Sequence, residues 1–521
     1  MGNNRIKELL RKPVSLFAFS CIVSVATMLL YNIPFFNYVL DHTNEGTVGK
    51  VFLMVSLVVI MLLANFMATY LVMFLMRVVG RVLLALLSII NATAVYFILT
   101  YSVIIDEITI GNVFNTRYSE ASGFFSWSLW LFIFVFGILP ALYCLLQPVA
   151  FGKAKKTGVY CGSSLGMILV IALANINQTL WISHHDTELG GLLQPWSYLV
   201  NTIRVASIKH DKQAEEKLLP DGKIADHEKT AVVLVIGESA RKANFQLYGY
   251  QRETNPLLSK REGLKVYQAT SCATYTTAGV KAILEPEDGD DLYELLPNYA
   301  FRMGADVVWR TSNWGEPPIH VDEYLTRDVL GKMYPDENER YDRILYKGLR
   351  ERIESSEKDK VLIVLHTSTS HGPNYADKYT KEFEYYKPVA KNVEESEKNV
   401  SMLVNAYDNT IRYTDYLLDS LVVTLHSMAD WNTAMIFISD HGESLGENNM
   451  FMHGIPMRMA PKVQYEIPFL VWTSENFRSY KPKDKLPAVL EQHYVFHSVL
   501  NLLSIQSPAY KKDFDIFETK E

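Results

Sequence analysis

The sequence predicts two architectures in one chain: an α-helical membrane domain of five transmembrane helices, followed by an α/β three-layer sandwich with a mostly parallel sheet. Three observations carry this. Hydrophobic residues make up 49% of the 521, and they are densest in the first 183 positions, in runs near the roughly 20 residues that cross a bilayer. From residue 229 onward, short β-branched runs alternate with helical patterns, as in a sheet covered by helices on both faces. Clusters of Glu, Asp and His stand directly after three of those runs, where open α/β sheets bind their ligands. A mean hydropathy of +0.04 and the long apolar runs exclude a purely water-soluble protein. The composition also excludes a disordered chain, a fibrous repeat and a small disulfide scaffold. A net charge of −7 gives no footprint for nucleic acid.

The apolar runs cover 14–34, 51–76, 82–105, 125–147 and 158–183. The fifth is the weakest, because Asn175, Asn177 and Gln178 crowd its end, amides suited to a membrane interface. The first is too long for a cleaved leader and lacks a small-residue cleavage site. Arg5, Lys7, Arg11 and Lys12 precede the first run, Arg77 and Arg81 separate the second and third, and Lys153, Lys155 and Lys156 separate the fourth and fifth. The alternate loops carry only Lys50 and Arg117. This bias places the N-terminus in the cytoplasm and everything after 183 outside, which in a bacterium with two membranes is the periplasm. Residues 184–228 read as a connector, and Trp181, just before it, and Trp196 are placed like interfacial aromatics. Within it, 190–206 suits a helix lying on the membrane and equally an ordinary linker helix. The charged stretch 207–229, with Pro220-Asp221-Gly222, marks the boundary of a domain over 229–521.

In that outer domain the expected strands are 231–236, 305–309, 361–365, 434–439 and 467–472, with the clearest helix at 398–427. Cys21, Cys144 and Cys161 fall in the spans, so Cys272 is alone in the outer domain and no disulfide forms within it. A domain of that size buries enough core without one. Gly237-Glu238-Ser239 follows the first strand, His366 to His371 the third, and Asp440-His441-Gly442-Glu443 the fourth. Carboxylates and imidazoles without thiolates suit zinc with an open position, and Glu238, Asp440 and His441 offer three ligands. The nucleophile is expected within Ser271-Cys272-Ala273-Thr274-Tyr275-Thr276-Thr277, between a short strand and a helix. Metal coordination and a helix N-terminus would lower a hydroxyl's pKa there. Taken alone, these hydroxyls read more simply as helix caps, and the residues do not choose among Thr274, Thr276 and Thr277. A lone Asp-His pair is usually structural; Asp440 to Glu447 with His453 beyond is much less ordinary. His366, His426, His493 and His497 read as structural.

These residues resemble the phosphoethanolamine transferases that modify lipid A, within the sulfatase and alkaline-phosphatase superfamily. The matching pieces are Val235-Ile236-Gly237-Glu238-Ser239-Ala240-Arg241, the stretch Tyr248 to Pro256, Ser271 to Thr276, Ser370-His371-Gly372-Pro373, Tyr407-Asp408-Asn409-Thr410-Ile411 and Asp440 to Glu447, in this order behind five spans. The resemblance implies an alkaline-phosphatase/sulfatase-like domain at the bacterial inner membrane, facing the periplasm. It implies transfer of phosphoethanolamine from phosphatidylethanolamine to a lipid A phosphate, or to a related envelope glycan, through a phosphothreonine, a chemistry linked to polymyxin resistance, by a monomer that binds no nucleic acid. Glu238, Thr276, Asp440 and His441 correspond to zinc ligands, with Thr276 the nucleophile. His371 and His453 correspond to histidines that hold phosphate, donate a proton or bind a second zinc. Asn313 and Glu443 correspond to positions near the substrate. Two features depart from the family pattern. The cysteine partner of Cys272 is absent, since Ala282-Ile283 stands there, and the lysine after Trp309-Arg310 is absent, since the segment leads to Pro317. The rival readings are a glycerol-phosphate transferase resembling lipoteichoic acid synthases, a sulfatase, which would need Cys272 in a different context, and a degenerate lipid-binding member.

Overall fold

A computed structural model describes residues 12–519 apart from 44–45, 116–120, 122–123, 179–180, 183–184, 212–215, 288, 290–291, 392–394, 397–398, 476 and 478–479. Arg5, Lys7, Arg11 and Arg117, which enter the charge-bias argument, lie outside the described residues. The chain divides into two compact units, Met1–Thr116 with Phe124–Asp211, and Arg117–Gly123 with Lys212–Glu521.

In the first unit, helix α1 (Leu16–Tyr31) is capped by Ser15, whose hydroxyl accepts the Ala18 N–H at 3.1 Å. It bends by 58° into α2 (Ile33–His42). Pro34 lacks an N–H to continue the ladder, and Asn32 donates from its amide to the carbonyls of Thr27 and Gln194 instead. Helix α3 runs Thr47–Tyr101, 55 residues. Straight, it would reach about 80 Å, far beyond the ~30 Å hydrocarbon core of a bilayer. It is broken at Arg77 (φ 43°, ψ −101°). A Cβ on Gly80 would stand 2.9 Å from the Val72 carbonyl oxygen, and Leu53 and Met61 share a buried cluster with Ala94 and Ile98. The chain therefore doubles back near 77–80, and α3 is a helical hairpin carrying the second and third apolar runs. After α4 (Glu107–Asn115) come α5 (Trp127–Leu146) and α6 (Ala154–Ala174). Among the described residues three helices, α3, α5 and α6, are long and apolar enough to cross a membrane, or four if α1 and α2 form one bent span. The fifth run ends as a helix at Ala174, earlier than the sequence predicts, and Asn175 donates to Ser56 Oγ at 3.0 Å. The segment predicted as one helix over 190–206 is two, α7 (Asp186–Leu192) and α8 (Trp196–Asp211), split at Pro195. Leu192 and Tyr198 pack among the residues of α3, and Trp196 Nε1 donates to Asn65 Oδ1 at 3.0 Å.

The second unit is built on an eight-stranded sheet. Its strands are β1 (Thr230–Gly237), β2 (Lys265–Thr270), β3 (Asp306–Thr311), β4 (Glu323–Thr326), β5 (Lys360–His366), β6 (Asn432–Ser439), β7 (Glu466–Thr473) and β8 (Leu490–Glu491). The spatial order is β8-β2-β7-β6-β1-β5-β3-β4. Neighbours run parallel except β7, which is antiparallel to both β6 and β2. Central β1 is buried along its whole length, which accounts for its unbroken apolar run. Val232, Leu234 and Ile236 meet one helical layer, α9 (Thr276–Leu284), α10 (Leu296–Arg302) and α12 (Tyr494–Leu502); Val233 and Val235 meet the other, led by α11 (Val400–His426). A one-residue slip of β1 would exchange these two sets, so the register β1 to β5 and β6, with Val232 opposite Leu362 and Ala434, is tightly specified. With β7 the exception, the carboxyl ends of β1, β2, β3, β5 and β6 all open on one edge.

Candidate active site

Each of those five strand ends delivers part of the site. Glu238 follows β1, Ser271 to Thr276 follows β2, Asn313 follows β3, His371 follows β5, and Asp440 and His441 follow β6. Thr276 is the first residue of α9. Its Oγ1 stands 3.3 Å from Glu238 Oε2 and 3.3 Å from His441 Nε2. The helix comes this close because residue 279 is glycine: a Cβ there would lie 2.2 Å from the Asp440 carbonyl oxygen.

The carboxylate–imidazole centre is fully buried. Glu238 Oε1 accepts from Ser239 Oγ at 2.7 Å, and Oε2 accepts from Asn313 Nδ2 at 2.6 Å. His441 Nδ1 donates to the Gly442 carbonyl at 2.8 Å, which turns Nε2 toward Glu238 Oε1 and Asp440 Oδ2, each at 3.4 Å. Holding one ring nitrogen in this way orients the other as a ligand. Asp440 Oδ1 accepts the backbone N–H groups of Ser239 and His441 at 3.0 and 2.7 Å. Its Oδ2 is buried without a hydrogen bond, a costly state for a carboxylate oxygen. Burial and then the charge of Glu238 push the Asp440 carboxyl well above its ordinary range. Burial would also raise Glu238, but its bond to His441 outweighs this and holds it low. Ligand atoms of Glu238, His441 and His453 lie within 4.8 Å of one another. That donor set, with the orphaned Asp440 oxygen beside it, fits a borderline divalent cation such as zinc.

The remaining predicted residues gather around this centre. His453 Nδ1 contacts Glu443 Oε2 at 2.7 Å, and the His453 ring lies 4.3 Å from that of His441. Glu443 Oε1 accepts from Tyr375 OH at 2.5 Å. The His371 ring meets those of Trp314 and His453 edge to face at 5.4 and 5.5 Å, and burial pushes its pKa down to about 3. Thr274 is different: its hydroxyl donates to the Ile455 carbonyl at 2.7 Å. Geometry thus separates Thr274 from Thr276, two of the three threonines that the residues alone leave equivalent. The exposed Cys272 Sγ contacts the Ala278 carbonyl at 3.7 Å, whereas Thr276 is the residue at Glu238 and His441. Cys21, Cys144 and Cys161 are free thiols.

The other motifs serve as scaffold. Tyr407 OH donates to the Ser239 carbonyl at 2.7 Å and accepts the Arg241 N–H at 2.9 Å. This clamps Ser239 in a left-handed conformation (φ 53°) that costs a non-glycine residue energy and needs such over-determination. Asp408 collects Asn244, Tyr250 and Arg252, and Thr410 bonds Ser370 at 2.9 Å. Two contributors escape sequence reading. Tyr375 braces Glu443, and Gln492 ties the Asp440 carbonyl (2.7 Å) to the Cys272 N–H (3.1 Å). Both are single polar residues in unremarkable loops, without a pattern to flag them. His366 is buried with Nδ1 3.4 Å from Glu316, and His497 is buried in the core.

A metal-ready cluster with a hydroxyl at a helix start, on the carboxyl edge of a mostly parallel sheet, defines a hydrolase or transferase of the sulfatase class. The sulfatase family matches residues 230–505, and the phosphoethanolamine transferase EptA/EptB family matches residues 62–210. The phosphoethanolamine transferase EptA of Helicobacter pylori is 36% identical over 522 residues, 98% of each chain. A Kdo(2)-lipid A phosphoethanolamine 7''-transferase of Salmonella typhimurium is 26% identical over 279 residues, 51% of this chain and 48% of that one. Among solved structures, the integral membrane protein lipooligosaccharide phosphoethanolamine transferase A (EptA) from Neisseria meningitidis matches with a TM-score of 0.84 and 25% identity, covering 97% of this chain and 99% of that one. The chain belongs to the phosphoethanolamine transferase family of the sulfatase superfamily.

Proposed function

We propose that this protein transfers phosphoethanolamine from phosphatidylethanolamine to a phosphate of lipid A, in two steps through a phosphothreonine at Thr276. The observation that carries the reading is Thr276 Oγ1 at 3.3 Å from both Glu238 and His441, in a chain whose relatives are named phosphoethanolamine transferases. In the first step Thr276 Oγ1 attacks phosphorus. Its proton leaves toward the Glu238–His441 pair, the bond from phosphorus to the glycerol oxygen breaks, and diacylglycerol departs after taking a proton. In the second step an oxygen of the acceptor phosphate attacks the same phosphorus and Thr276 is released, regaining a proton. His453, braced by Glu443, is the candidate donor to the leaving oxygen, and His371 and Asn313 hold the phosphoryl group. Zinc held by Glu238, Asp440, His441 and Thr276 would supply Lewis-acid charge for the phosphoryl oxygens, and His453 lies within reach of the same ion. One zinc suffices for this scheme.

The two arms of α3 are proposed to cross the bilayer separately. With α5, α6 and the bent α1–α2 pair this gives five crossings and places residues 229–521 in the periplasm of a bacterial inner membrane, where donor and acceptor lipids are both within reach. The protein is proposed to act as a monomer. Intact-mass analysis of the full chain given phosphatidylethanolamine should show one added phosphoethanolamine, on the peptide containing Thr276 and lost in Thr276→Ala. Mass spectrometry of lipid A from cells with and without the protein should show the same group on the product. An adduct on Thr277, or transfer by Thr276→Ala, overturns the assignment.

A further inference from the structure

The first unit holds a cavity of about 300 Å³ that the transfer scheme leaves without a role. Phe17, Cys21 and Val25 of α1, Leu62 and Phe66 of the first arm of α3, and Tyr160 of α6 line it. Along α1 it runs from Phe17 to Val25, about 12 Å of helix, close to half of the ~30 Å hydrocarbon core of a bilayer. Its wall offers hydrocarbon. The hydroxyls of the lining Ser24 and Ser163 are spent on the Ser20 and Tyr160 carbonyls of their own helices, at 2.7 and 3.1 Å. Phe17 and Val25 are 44% and 42% exposed, so both also reach the outer surface of the helices.

One end of this unit carries cations without acids. The Arg77 guanidinium lies over the Phe151 ring at 5.5 Å, and Arg81 donates to the Leu145 carbonyl at 3.4 Å. Gln147 donates to the Lys12 carbonyl at 2.9 Å, and Val14 pairs with Val149. These contacts gather Lys12, Arg77 and Arg81 around 145–151, which leads directly to the exposed Lys153, Lys155 and Lys156. No Asp or Glu occurs in 12–40, 51–105 or 121–185 to answer them. Gly152, just before the lysines, sits against Tyr70, where a Cβ would stand 3.5 Å from the phenol oxygen. Tyr160 packs on Tyr70 and Phe17 at 5.7 and 5.0 Å, and it follows Lys156 by one turn on the same face of α6. Cations and cavity therefore meet at Tyr160.

We propose that this end of the first unit holds one phospholipid of net negative charge, with an acyl chain in the cavity and its phosphate among Lys153, Lys155 and Lys156. The inference rests on the crossing of the bilayer by α1, α3 and α6, and not on the transferase chemistry. An apolar cavity alone would take the chain of any lipid; cations without acids beside it choose an anionic headgroup. The depth of the cavity suits a chain that reaches from the headgroup level to the middle of the bilayer. The site lies at the end of α3 marked by Arg77, opposite the end marked by Thr47 and Tyr101, and its lipid differs in charge from the zwitterionic donor.

The test uses purified full-length protein in detergent, phosphatidylglycerol and phosphatidylcholine with identical chains, and native mass spectrometry to read the lipid retained. Each lysine near a headgroup contributes about fivefold to the binding of an anionic lipid, so wild type should favour phosphatidylglycerol roughly 100-fold. The triple variant Lys153→Gln, Lys155→Gln, Lys156→Gln should bring the ratio near one, and Lys50→Gln, at the other end of α3, should leave it as in wild type. A wild-type ratio near one, or a triple variant that keeps the wild-type ratio, overturns the inference. Phosphatidylglycerol with a diazirine midway along one chain decides on wild type alone, independently of any variant. Its label must fall within 17–25, 62–66 or 160–164, and a label outside these segments refutes the cavity as the seat. Equal labelling there by the phosphatidylcholine counterpart refutes the choice of charge. A reporter showing residues after 183 in the cytoplasm would sink the crossing reading instead, with the lipid ratio still measurable in detergent.

Discussion

Gly279→Ala tests whether the approach of α9 to the metal-ligand loop, and not the presence of the motif residues alone, makes the site. The new methyl carbon would stand 2.2 Å from the Asp440 carbonyl oxygen, 2.8 Å from its carbon and 3.2 Å from its Cα. Ordinary contact begins at 3.4 Å, so helix and loop must part by about 1.2 Å (3.4 less 2.2), both sides being backbone. Overpacking of this kind costs about 1–3 kcal/mol. The motion separates Thr276, three residues earlier in the same helix, from Glu238 and His441. A misplacement of about 1 Å at a reacting centre costs roughly 100-fold in rate. The assay pairs a thermal melt with lipid transfer. Gly279→Ala should melt lower and transfer about 100-fold more slowly, with every motif side chain intact. Gly289→Ala, where the added carbon meets nothing within 4 Å, should stay within about 0.5 kcal/mol of wild type. Wild-type transfer by Gly279→Ala would refute the claim that this contact positions the nucleophile.

Three further outcomes follow from particular contacts. Zinc content of the purified protein should fall in Asp440→Ala, because the buried Oδ2 faces the same centre as His441 Nε2; unchanged zinc removes Asp440 from the ligand set. Thr274→Ala should retain transfer and lose about 1 kcal/mol of stability with its bond to Ile455; loss of transfer in a well-folded Thr274→Ala would contradict its placement away from the nucleophile position. His497 donates from Nε2 to the Pro286 carbonyl (2.8 Å) and accepts the Lys511 N–H at Nδ1 (3.1 Å), and burial pushes its pKa down to about 4. The unfolded chain takes up this proton below about pH 6.5 and the folded protein does not, so the contribution is complete above 6.5. It is lost as pH falls toward 4, by up to about 3 kcal/mol. His497→Gln, which keeps a donor and an acceptor, should flatten the melting profile across that window, and an unaltered slope would refute the assignment.

What was legible in the sequence was chemistry tied to periodicity. The buried strands announce themselves as unbroken apolar runs because both faces are covered, and the carboxylates and imidazoles stand at their ends because a parallel sheet gathers its carboxyl ends on one edge. Spans are legible for the same reason, and the break between the second and third is legible too: Arg77 and Arg81 interrupt the apolar pattern, and the helix Thr47–Tyr101 loses its helical backbone at Arg77, beside the close approach of Gly80 to Val72. Separating two of the three threonines needed contacts far along the chain, Thr274 to Ile455 and Thr276 to Glu238 and His441. Tyr407-Asp408-Asn409-Thr410 reads from sequence as part of a site motif, yet each of its side chains is spent holding a loop: Ser239 and Arg241 by Tyr407, the Asn244–Arg252 stretch by Asp408, the Tyr385–Tyr386 backbone by Asn409, and Ser370 by Thr410. A motif records which residues a site requires without separating those that touch substrate from those that hold its walls.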